Sequence, residues 1–142
     1  MILVQRMHQI TNLSRHDWID LLLAAWDLGT AAISLSSAAA RPIRRDDLNA
    51  VNRRATLTPV QEIQVARAAS AIARASRVVP WRSDCLRQAE AGRRWLRRRG
   101  VVAELYLGAR RDPSGALNIH AWLIAGDKVV TGGDIALFTP FG

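Results

Sequence analysis

Residues 83–100, SDCLRQAEAGRRWLRRRG, hold the only cysteine of the chain, Cys85, at the start of what reads as a helix. Pro80 disfavours a helix arriving from upstream, Ser83 is placed to accept a hydrogen bond from a first-turn amide, and Asp84 suits the positive end of the helix dipole. Gly100 supplies the stop. With Ser83 as N-cap, Cys85 falls in the first turn, where unpaired N–H groups and the dipole favour thiolate over thiol. On a helical wheel Cys85, Ala89, Gly92 and Leu96 share a face of small and apolar residues, while Arg87, Arg94, Arg97 and Arg98 mostly point elsewhere. The thiol therefore faces protein, and Ala89 and Gly92 let another element pack closely below it. A cysteine so placed is either a nucleophile or a small buried hydrophobe without chemistry. The rest of the chain has to decide between them.

Downstream the period changes from 3.6 to 2. Residues 101–107, VVAELYL, have strand composition and end at Gly108. Residues 110–115, RRDPSG, read as a turn punctuated by Pro113 and Gly115. Residues 116–125, ALNIHAWLIA, form a second strand, and residues 128–131 a third, joined by a hairpin at Gly126-Asp127. The last residues, ALFTPFG, are apolar and are expected to lie back over the core.

Upstream, helical signals dominate. Ser14 and Asp17 make a capping box, after which Trp18, Leu21, Leu22, Ala25 and Trp26 recur at helical spacing. Gly29 is a candidate break before the charge-free run of residues 28–40, which reads as a buried core helix. Two tryptophans on one side of this helix require cover, from the core or from a neighbouring protein. Residues 41–57, RPIRRDDLNAVNRRATL, read as a solvated connector. Thr58 then caps a further helix, with Pro59 at N1 and Gln61 in the capping-box position. Its apolar face is formed by Val60, Ile63 and Ala66 together with Val65, Ala69, Ile72 and Ala73, and it runs to about residue 75. Residues 1–12 read as a short strand or an extended arm. Helices first and a small antiparallel sheet afterwards describe an α+β arrangement, not alternating βαβ units.

At 142 residues the chain is long enough for one domain with a core that needs neither metal nor disulfide. We take residues 1–142 as that domain, with 1–79 mainly helical and 80–142 carrying the cysteine helix and the sheet. A single cysteine excludes an internal disulfide and any zinc site built from several cysteines. His8, His16 and His120 are too far apart to give metal-ligand spacing, and no glycine-rich phosphate loop is present. No cofactor is expected. The N-terminus lacks the apolar run of a signal peptide and no segment reaches the ~20 apolar residues of a bilayer span, so a cytoplasmic location is expected. The net charge is +8, and nineteen of the twenty basic residues are arginine. Such a surface attracts acidic peptides, acidic proteins or nucleic acid.

On the second strand His120 shares a face with Asn118, Trp122 and Ile124. A three-residue hairpin loop, or a bulge at Gly132-Gly133, sets Asp134 across from His120 on that same face. A strict two-residue loop instead pairs Ile119 with Asp134 and turns the carboxylate to the other side. In the first register Cys85, His120 and Asp134 are a thiol at a helix start, an imidazole on a strand and a carboxylate on its neighbour, the logic of a nucleophile, base and orienting acid. Backbone N–H groups near Cys85 are candidates for part of an oxyanion hole, Trp122 reads either as a shield that excludes water or as a core residue, and Asn118 and Gln88 are further candidates for orienting or oxyanion roles.

The segments SDCLRQAEAGRRWLRRRG, AELYLGARR and NIHAWLIAGDKVVTGGD together resemble the leader peptidases of lasso peptide biosynthesis, a branch of the transglutaminase-like, papain-related cysteine proteases. The shared pattern is a cysteine-leucine helix start, an Arg-Arg-Gly helix end, a strand ending in glycine, then His-Ala-Trp and a later aspartate. The resemblance covers residues 80–134 and implies a papain/transglutaminase-like α+β fold. It implies Cys85 as nucleophile, His120 as general base and Asp134 as orienting acid, in an enzyme that removes the leader of a ribosomally made precursor. The implied partners are the precursor peptide, a separate small leader-recognition protein and a lasso cyclase, with no membrane or nucleic acid. Two departures stand out: Leu123-Ile124 follows His-Ala-Trp where the family often has Val-Glu, and the aspartate position varies with hairpin length. The competing readings are an acyl transferase using the same triad, and a catalytically silent basic module that binds an acidic peptide or nucleic acid.

Overall fold

The computed structural model describes residues 13–37, 56–80 and 83–141. The expected N-terminal arm and most of the connector at 41–57 lie outside these residues. Three helices, α1 (Arg15–Ser37), α2 (Pro59–Val78) and α3 (Cys85–Arg97), precede strands β1 (Glu104–Arg111), β2 (Leu117–Ala125), β3 (Lys128–Thr131) and β4 (Thr139–Pro140). The strands form an antiparallel sheet in the order β3-β2-β1-β4. The α+β arrangement expected from the change of period is therefore present.

Helix starts follow their capping chemistry. Asp17 N–H donates to Ser14 Oγ, and Asp17 Oδ2 accepts from the Ser14 backbone N–H at 3.1 Å. The bonds from the Ser14 hydroxyl and backbone, with Arg74 adding to them, hold the Asp17 carboxyl below its ordinary range. Thr58 and Gln61 close a full capping box, with Pro59 inside the first turn. At α3 the cap is Asp84, not Ser83: Asp84 Oδ1 accepts the Arg87 N–H at 3.1 Å. The Ser83 hydroxyl donates instead to Ser76 O at 2.9 Å, tying the start of α3 to the end of α2. The α3 C-terminus is a Schellman motif in which Gly100 at φ +68° lets its N–H reach Arg97 O while Val101 N–H reaches Leu96 O.

α1 continues through Gly29 without a break. It buries Leu21, Ala24, Leu28 and Ala31 and leaves Trp18, Leu22 and Trp26 exposed, Trp26 by 71%. The tryptophans are thus not core residues. α2 likewise buries Val65, Ala68, Ala71, Ile72 and Ala75, and the expected core members Val60 and Ile63 face outward. α3 crosses both helices and the sheet, burying Ala89, Ala91, Gly92, Trp95 and Leu96. One face of the sheet, with Leu105, Leu123, Ala125 and Val130, closes this core.

Two charges on the buried side of α1 fix its rotation. Asp20 takes a two-pronged bond from Arg67 on α2, at 2.9 and 2.8 Å. Asp27, 1% exposed, receives both terminal nitrogens of Arg98 just past α3, Nη1 at 2.8 Å. Removing one partner of such a pair leaves a buried charge uncompensated. Arg98→Met is expected to cost ~3 kcal/mol, read as a lower urea midpoint; the double variant with Asp27→Leu should recover much of that loss.

The sheet departs from the expected strands in two ways. β1 begins at Glu104, three residues late, and runs through Gly108 to Arg111. A Cβ at Gly108 would lie 2.5 Å from Thr139 O and 2.6 Å from Trp122 Cη2, so this glycine admits the close approach of β4 and Trp122 instead of ending the strand. The C-terminal residues do not cover the core; they supply the short edge strand β4, whose partners are Gly108 and Ala109.

Candidate active site

Cys85 is the first residue of α3 and is half-buried. Gly92, two turns further along, meets Leu123 on β2 so closely that an added Cβ would stand 2.7 Å from Leu123 Cδ2. The Schellman turn at the far end of α3 leads directly to β1, whose Glu104 pairs with Ile124. The α3 axis and β2 are therefore packed together. Gln88, one turn into the helix, donates Nε2–H to Ser83 O at 2.7 Å and so braces the loop before Cys85. Cys85 itself makes no side-chain hydrogen bond among the described residues, and none to His120.

His120 lies on β2 opposite Gly108 of β1. As alternation requires, it shares a face with Trp122, whose indole stacks on Tyr106 at 5.9 Å and 10°. Phe138 closes on the imidazole, with ring centroids 4.8 Å apart, and touches Trp122 as well. The His120 ring thus packs against two neighbouring aromatic rings, and its Nε2 lies 2.7 Å from Gly132 O. The sequence reading includes Trp122 in the site and Gly132 only as part of a candidate bulge, and does not include Phe138. The Gly-Gly pair after β3 was a usable signal, since two adjacent glycines mark positive φ and a change of direction.

The hairpin combines both of the expected registers. Gly126-Asp127 is a two-residue loop with Ala125 opposite Lys128 and Ile124 opposite Val129. An irregularity then moves Leu123 opposite Thr131. Counting on at that offset sets 134 against 120, as the bulged register required, but β3 ends at Thr131. Gly132 and Gly133 both take positive φ, at +109° and +65°, and lead the chain out of the sheet. Asp134 is exposed, and its Oδ1 accepts the Ala136 N–H at 3.0 Å. The expected His120–Asp134 hydrogen bond is therefore not formed, because the chain turns before the carboxylate reaches the ring. Asn118 is exposed on the His120 face with no hydrogen bond to the ring.

Beyond Phe138 the aromatic cluster ends on Arg110, whose guanidinium lies 4.9 Å from the Phe138 centroid. A cleft of about 710 Å³ opens here, lined by Arg110, Arg111, Leu117, Leu137 and Thr139 among others. Among the described residues no cluster of histidine, cysteine, aspartate or glutamate is arranged to hold a metal ion. Among the described residues no helix is long and apolar enough to cross a membrane.

A family model for the transglutaminase-like superfamily matches residues 25–141, which include the second part of α1, all of α2 and α3 and the whole sheet. The chain belongs to the transglutaminase-like superfamily. No curated protein and no solved structure matches significantly. Membership agrees with the three helices and four-stranded antiparallel sheet, and with the cysteine-protease or acyl-transferase chemistry usual in this superfamily.

The lone thiol gives a direct measure of coupling between α3 and β2. Iodoacetamide should alkylate Cys85 in the wild-type protein at pH ~7 at least about tenfold faster than in His120→Ala. Equal rates in the two proteins would separate the thiol from the imidazole.

Proposed function

We propose that this transglutaminase-like chain is a cysteine peptidase that removes the leader segment of a ribosomally synthesised lasso precursor, before cyclisation by a separate enzyme. The observation that carries the reading is the superfamily match over 25–141, spanning a cysteine that begins a helix and a strand histidine buttressed by aromatic rings. In this reading Cys85 is the nucleophile and His120 the general base. The imidazole takes the Sγ proton and the thiolate adds to the scissile carbonyl carbon, sending its π pair to oxygen. As the tetrahedral adduct collapses, the C–N bond breaks and the imidazolium protonates the leaving amine. Water, deprotonated by the same imidazole, then hydrolyses the thioester and returns the thiol.

Asp134 is the acidic third member. From its position two residues beyond Gly132 it fixes its own turn by accepting the Ala136 N–H. Free amides at the start of α3 are suited to the oxyanion, and the cleft at Arg110 and Leu117 is suited to an extended peptide. The lasso assignment itself is supported by the order and spacing of the cysteine helix, the glycine-bearing strand and His-Ala-Trp.

A separate leader-recognition protein holds the precursor and raises its local concentration. The exposed ridge of Trp18, Leu22 and Trp26 on α1 is an apolar surface suited to that protein. Amide exchange onto an amine is the second reading, since the superfamily includes acyl transferases and the acyl-enzyme accepts either water or an amine.

With precursor and recognition protein present, Cys85→Ala and His120→Ala should abolish cleavage, and Asp134→Ala should reduce it less completely. Mass spectrometry of the product separates hydrolysis from amine transfer. Cleavage that survives Cys85→Ala would overturn both. Trp26→Ser should weaken affinity for the recognition protein at least about tenfold without loss of fold; unchanged affinity would remove the α1 ridge from that role.

A further inference from the structure

Among the described residues the imidazole of His120 has one polar partner, and it is a backbone carbonyl. A carbonyl oxygen only accepts, so at 2.7 Å the neutral ring must carry its proton on Nε2 and keep its lone pair on Nδ1. We propose that the Gly132 carbonyl, not the Asp134 carboxylate, is the positioning group that selects the tautomer and rotation of His120. The part of this inference that makes Nδ1 the acceptor of the Cys85 proton rests on the peptidase reading; the tautomer does not.

Three features build this arrangement. Gly132 sits at φ +109°, a conformation that L side chains rarely adopt. A Cβ there would lie 2.4 Å from Trp122 Cβ, 3.0 Å from Trp122 Cα and 3.3 Å from Ala121 O. Only glycine lets the chain leave β3 so tightly against β2, which is what brings its oxygen to the ring of a residue two positions from Trp122. The ring also packs in a three-way aromatic cluster, with Phe138 at 4.8 Å and Trp122 at 6.2 Å. Asp134, meanwhile, spends an oxygen on Ala136 N–H in its own turn.

A carbonyl and a carboxylate in this place have different consequences. Both fix an N–H, but the carboxylate adds a full negative charge beside an imidazolium, whereas the carbonyl offers only a dipole. In the proton-transfer step, the S–H bond breaks and an Nδ1–H bond forms while Nε2–H stays on Gly132 O. The ring then bears the positive charge with that bond retained. Asp134 acts on its own turn, not as the ring's partner.

The test is long-range ¹H–¹⁵N correlation of the His120 ring in the full-length protein, assigned by its disappearance in His120→Ala, at a pH where the ring is neutral. The expected result is a single tautomer protonated on Nε2, kept in Asp134→Asn. A ring protonated on Nδ1, or a tautomer that changes in Asp134→Asn, would overturn the proposal. Gly132→Ala should mix the two tautomers and lower kcat/KM for the precursor by about a hundredfold, the effect of misplacing a reacting group by ~1 Å. If that variant does not fold, the wild-type and Asp134→Asn spectra still decide. Because they require no substrate, they fail or succeed independently of peptidase activity.

Discussion

The contact on which the fold depends is that of Gly92 with Leu123. The missing side chain on α3 is what lets the helix settle against β2, with Ile72 of α2 3.3 Å from the same vacant direction and Thr131 Cγ2 at 3.6 Å. Around it the interface is built from alanines: Ala68, Ala71 and Ala75 on α2, Ala89 and Ala91 on α3. Small residues bring helix axes close, and the large buried groups, Trp95, Leu96, Leu28 and Ile72, then fill what space remains. A bulky residue at 92 would separate α3 from the sheet and carry Cys85 away with it.

Charge sets which side of α1 faces that core. The helix has two apolar stripes, one with Leu21, Ala24 and Leu28 and one with Trp18, Leu22 and Trp26, and the second has the larger side chains. Hydrophobic area alone favours burying the tryptophans. The first stripe is the buried one because it is flanked by Asp20 and Asp27, which meet Arg67 and Arg98. This explains why periodicity locates the helix but leaves open which face is buried: the partners lie 47 and 71 residues away in the chain. The same holds for Gly108, read as a strand end because its contacts with Thr139 and Trp122 come from distant segments. Local chemistry was legible wherever the partner was local, as in the Thr58–Gln61 box, the Gly100 stop and the Gly126-Asp127 loop. Even there Ser83 and Asp84 exchanged roles, because the hydroxyl found Ser76 O at the end of another helix.

The site shows a similar division. Alternation correctly placed His120 with Trp122, and the register argument correctly identified a bulge as the condition for bringing residue 134 opposite 120. The irregularity falls at Val130, two residues before Gly132, freeing the two glycines to turn the chain out of the sheet. A count of residues gives register, but not whether the strand persists long enough to use it. That depends on positive φ at two successive positions and on the packing of Gly132 against Trp122.

The electrostatics at the start of α3 assign the remaining burden. The helix end contributes the equivalent of about half a positive charge beside Cys85, but the cap that precedes it is a full carboxylate. Asp84 is in turn paired with Arg87, whose Nη1 lies 2.9 Å from Asp84 Oδ2. The Asp84 carboxylate and the Arg87 guanidinium offset each other, so the dipole is the charge left uncancelled at the start of α3. Under the peptidase reading, the proton acceptor that Cys85 requires is the imidazole of His120. The orientation of that imidazole rests on the turn that the two glycines after β3 allow.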